Sequence, residues 1–171
     1  MNFATQQVPG TSTAAEPQLY NAIVANLDEL EQVCREVAAV CRAHPDARYV
    51  APPGKATCAY HVGQIEGCES PGCVIGQGVR RAFNASDDTM RLVGRRTLLQ
   101  TETSCDAKSL FVTPLNHELL WSDADGPLYG NGRRLIDWLS CVQNHQDEGV
   151  PLRHALRRAN QMLPDVAQEE A

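Results

Sequence analysis

Residues 58 to 83 read CAYHVGQIEGCESPGCVIGQGVRRAF, with three cysteines and a histidine inside the first sixteen positions. Glycine decides how the stretch folds. Val74, Ile75, Val79, Ala82 and Phe83 give its second half a helical apolar side. Ser70 is a good cap for that helix, and Pro71 suits its first position. Gly72, Gly76 and Gly78 oppose it, since a helix loses about 1 kcal/mol for each Gly in place of Ala. Glycine makes sense here only if another backbone packs very close. The segment TCAYHVG, 57–63, reads as a short strand, and QIEG, 64–67, as a turn or return strand. The pair predicts a two-stranded ribbon leading into a glycine-rich helix.

Upstream, the pattern turns helical from Glu16. Leu27, Leu30, Val33, Cys34, Val37, Val40 and Cys41 recur at spacings of three and four, forming one apolar stripe. Asn26 or Asp28 can divide this stretch, and Pro45 ends it. Residues 1–15 read as a flexible arm. Downstream, Asn84 stops the glycine-rich helix and Ser86 caps the next, with Asp87 and Asp88 in its first turn. Residues 101–131 read as loop, and DGPLYGNG, 125–132, as a turn-rich connector. Leu135, Trp138, Leu139 and Val142 then mark one helix, and Leu152, Ala155, Leu156 and Ala159 a second. Gly149 sits in the turn between them, and Pro151 starts the second helix. Residues 164–171 form an acidic tail. The expected fold is a mostly helical α+β single domain over 16–163, with a small two-stranded ribbon and a C-terminal helical hairpin.

The totals narrow the setting. Hydrophobic residues make up 43% of the 171, enough for a packed core. Net charge is −6, which disfavours wholesale wrapping by nucleic acid. No apolar run is long enough to span a membrane, so no membrane partner is expected. The N-terminus lacks the basic start and apolar core of a secretory signal, which predicts a cytoplasmic protein. There thiols stay reduced, and seven cysteines do not read as a disulfide framework. Each must be core, metal ligand or nucleophile.

Cys58, His61, Cys68 and Cys73 supply a C-x2-H…C-x4-C spacing that could hold zinc in a tetrahedron. Against it stands simple packing, since cysteine is at home between buried elements; on that reading no cofactor is expected. Cys73 at a helix N-terminus also has the placement of a thiol nucleophile. His61 or His117 would then be its base, with Asn116 or an Asp behind, as in a thiol-dependent hydrolase. Arg80, Arg81, Arg91, Arg95 and Arg96 form a basic cluster. Arg153, His154, Arg157 and Arg158 lie on the outer side of the last helix, a superficial helix-turn-helix. Both sets can meet phosphates or an acidic partner surface. Trp121, Tyr129, Arg133 and Arg134 are residue types that dominate binding hot spots, and Trp121 fits a buried core position equally well. No complete phosphate-loop or dinucleotide fingerprint occurs.

The Cys58–Tyr60 run followed by PGCVIGQGV, 71–79, resembles a group of small proteins from actinobacteria and their phages. In that group a C-x-Y stretch precedes a GCIVGHAL-type helix start. QNHQDEGVPLRHAL, 143–156, is similar to the group's AQ-x-x-QD-x-G-x-x-W-x-x-A hairpin. Gln77 stands where the group has His, and Leu152 near its usual Trp, so a role carried by that His would be missing here. The resemblance implies an accessory phage or host gene in a bacterial cytoplasm and no particular reaction. The expected function is non-enzymatic binding of a host macromolecule, a protein first. Thiol hydrolysis at Cys73 and zinc-stabilised nucleic-acid binding are the alternatives. Self-association remains open.

Overall fold

The computed structural model describes residues 26–53, 59–100, 111 and 127–162, with side chains of 94–100 and 127–131 outside the description. Helix α1 is Leu27–Ala43. Asn26 caps it: its side-chain oxygen accepts the Glu29 amide at 2.9 Å, and Asp28 and Glu29 favour the positive end. Pro45 follows two residues beyond its end. Of the stripe expected from spacing, Leu30, Val33, Cys34, Val37, Val40 and Cys41 are fully buried together with Ala38, and Leu27 is partly buried at the helix start.

The ribbon exists, with a different first strand. Strand β1, Tyr49–Val50, pairs antiparallel with β2, Gln64–Ile65, placing Tyr49 opposite Ile65. Residues 60–63, expected as strand, are bent instead. Their backbone serves the next helix. The Ala59 carbonyl accepts the Cys73 amide at 3.1 Å, and the Gly63 carbonyl accepts the Gly72 amide at 3.1 Å. The segment is a strap laid over the start of helix α2, Val74–Phe83. A Cβ on Gly76 would stand 1.9 Å from the Tyr60 carbonyl oxygen, so only glycine fits beneath the strap. On the other face of α2, a Cβ on Gly78 would stand 2.3 Å from a Val37 methyl of α1. The close approach that the glycines demanded is present on both sides.

Helix α2 is capped by Cys73 rather than Ser70, three residues later than the sequence suggested. It ends at Asn84, left-handed at φ 48°. Ser86 then caps α3, Asp87–Gln100, accepting the Thr89 amide at 3.2 Å. Helix α4 runs Pro127–Asp147, so the expected connector 125–132 is helical from Pro127. Proline has no amide to lose at the first helical position, and the buried stripe from Leu135 to Val142 offsets the cost of Gly130 and Gly132. Gly149, at φ 74°, turns the chain into α5, Leu152–Met162. Amides of Leu152 and Arg153 donate to the carbonyls of Ala47 (3.0 Å) and Pro45 (2.8 Å), fixing the start of α5 to the end of α1. Trp138, wholly buried, donates its indole N–H to Asn160 Oδ1 at 3.0 Å, joining α4 to α5.

The described residues thus form one mostly helical α+β unit with a single two-stranded antiparallel sheet. Helices α1, α2, α4 and α5 share its core. Among the described residues, no helix is long and apolar enough to cross a membrane. The arm 1–15 and the tail 164–171 lie outside them.

Candidate functional site

The start of α2 gathers the chemistry-bearing side chains. Cys73 is fully buried, and its Sγ accepts the Gly76 amide at 3.5 Å. Its carbonyl accepts the Gln77 amide at 2.9 Å. Gln146 reaches across from α4, and its Oε1 accepts the Val74 amide at 2.6 Å. The exposed donors of a helix N-terminus attract anions and activate thiols. Here Val74, Gly76 and Gln77 all donate within the chain.

Two further glutamines bond close by, Gln77 to the turn before α2 and Gln143 to the strap. Gln77, 2% exposed, donates from Nε2 to the Ser70 carbonyl at 2.7 Å. Gln143 Oε1 accepts the Tyr60 hydroxyl at 3.5 Å. Tyr49 contributes from the ribbon: its hydroxyl accepts the Ala59 amide at 3.0 Å and donates to the Val62 carbonyl at 3.2 Å. Segments far apart in sequence, 59–77 and 143–146, are therefore joined by buried polar contacts. A buried polar group costs free energy unless it is bonded, so such contacts fix one arrangement of strap, helix and hairpin.

Gln143 and Gln146 escaped the search for chemistry in the sequence. Both extend the apolar stripe of α4, four residues after Leu139 and Val142. A glutamine on the inner face of an amphipathic helix was the available signal. Gln146→Met keeps length and apolar contact but strands the Val74 amide. The expected loss is about 1–3 kcal/mol of stability, read as a lower urea midpoint with an unchanged slope.

Three of the four zinc candidates lie among the described residues. His61 is half-buried in the strap, Cys68 is 6% exposed after β2, and Cys73 is the cap of α2; Cys58 lies outside the described residues. Among the described residues, no group of three His, Cys, Asp or Glu side chains is placed to hold a metal ion. His117 and Asn116, candidate partners of a Cys73 nucleophile, also lie outside the description.

Of the remaining described thiols, Cys34, Cys41 and Cys68 are core and Cys141 is partly buried against it. Burial pushes the Cys34 thiol far above its ordinary range, with Glu31 adding to the effect, and its Sγ donates to the Leu135 carbonyl at 3.9 Å. Burial pushes Cys41 up to about 12. Burial also raises Cys68, against the opposing charge of Arg81, and raises Cys141, with Glu148 adding. A reactive cysteine needs the opposite shift, toward thiolate.

No family model, curated protein or solved structure matches the chain. Its surface must therefore be read from its own residues. The basic cluster is partly neutralised from within: Arg80 pairs with Asp87, and Arg91 with Asp88 at 3.2 Å. Arg133 lies 3.8 Å from Asp137. Exposed pairs of this kind contribute about 0–1 kcal/mol each. Arg81 and Arg134 are exposed. Arg95 and Arg96 lie on α3 and Tyr129 in the first turn of α4, with side chains outside the description; Trp121 lies wholly outside it.

Proposed function

We propose that the chain is a non-enzymatic accessory protein, in the phage or actinobacterial setting that the sequence resemblance suggests, which acts by binding a host protein. One observation carries the reading. In a chain of net charge −6, the exposed side chains of Arg81, Arg134, Arg157 and Arg158 have no hydrogen-bond or ion-pair partner among the described residues. Arginine brings five donors and a weakly hydrated charge, and is enriched where proteins dock. The central cysteines and glutamines, by contrast, bond to the protein's own backbone, which supports a building role for them.

The test is affinity capture from a bacterial extract. Wild type should retain a discrete protein after nuclease treatment, and Arg81→Glu combined with Arg134→Glu should retain at least about tenfold less, as expected for losing a few kcal/mol of charge-assisted contact. Retention that disappears with nuclease would instead make the partner nucleic acid and overturn the reading.

A further inference from the structure

We draw no further inference here: the strongest candidate, the groove of about 400 Å³ between the end of α1 and the outer face of α5, carries nothing, because Arg153 on its rim is paired with Asp46, Arg42 has an interaction of its own, and nothing in the structure shows what covers the apolar floor at Cys41 and Leu156.

Discussion

Gly76→Ala is expected to abolish the cooperative fold or cost it more than about 4 kcal/mol, a loss in the exceptional tail for single substitutions. Helix propensity alone predicts the opposite sign, a gain of about 1 kcal/mol. Geometry decides between them. The new methyl would lie 1.9 Å from the Tyr60 carbonyl oxygen, 2.7 Å from its carbon and 2.9 Å from its Cα. No rotamer relieves a clash with backbone. The strap cannot lift freely, because the Ala59 carbonyl holds the Cys73 amide and the Tyr60 ring is 1% exposed. A domain of this size has about 5–15 kcal/mol in hand, so the variant is marginal or unfolded. Gly78→Ala meets a Val37 methyl at 2.3 Å with the Val37 backbone nitrogen at 3.1 Å behind it, and because a β-branched side chain turns little, α1 must give as well, at a cost of about 3 kcal/mol. Gly149→Ala meets nothing within 4 Å and bears only the strain of its φ of 74°, about 1–2 kcal/mol. Urea unfolding followed by far-ultraviolet circular dichroism ranks the three. Gly76→Ala falling at or below Gly149→Ala in cost would mean that the strap does not press on α2.

Much of this architecture was legible before any coordinates. The stripe of α1, the Asn84 stop, the Ser86 cap and the C-terminal hairpin follow from spacing and capping chemistry, which are local. The glycines of α2 announced a close neighbour without naming it. What the pattern hid was non-local. Nothing in TCAYHVG distinguishes a strand from a strap, because the difference lies in whether its carbonyls face a ribbon partner or the amides of residues 72 and 73. Cys73 displaced Ser70 as cap because Gly72, at φ 112°, lies outside helical geometry and no helix can run through it. Pro127 opened a helix where DGPLYGNG looked like a connector, since burial from Leu135 onward outweighs two weak glycines. Of the site, the exposed arginines were visible as charge. Their pairing with Asp87, Asp88 and Asp46 was only partly so, because Asp46 and Arg153 stand far apart in the chain.

The second large effect concerns sulfur. Cys34, Cys41 and Cys73 are wholly buried, so each should react with an alkylating reagent only when the whole domain opens. With a typical domain stability, labelling should be at least about a thousandfold slower than in the unfolded chain. Alkali should weaken that protection. The Cys41 thiol keeps its proton up to about 12 in the fold, while an ordinary thiol releases it near 9.0. Between those values the folded state binds protons that the unfolded state does not, so stability falls as pH rises through the window. Cys34, shifted in the same direction, adds to the decline.

Cys73 decides between a thiol that builds the fold and one that does chemistry. Native protein held at neutral pH with excess iodoacetamide, sampled over time and mapped by mass spectrometry, gives the labelling rate at that residue. The account predicts that Cys73 is modified no faster than Cys34 and Cys41, at the rate of global unfolding. Rapid modification of Cys73 alone, in protein that still gives native circular dichroism, would contradict it.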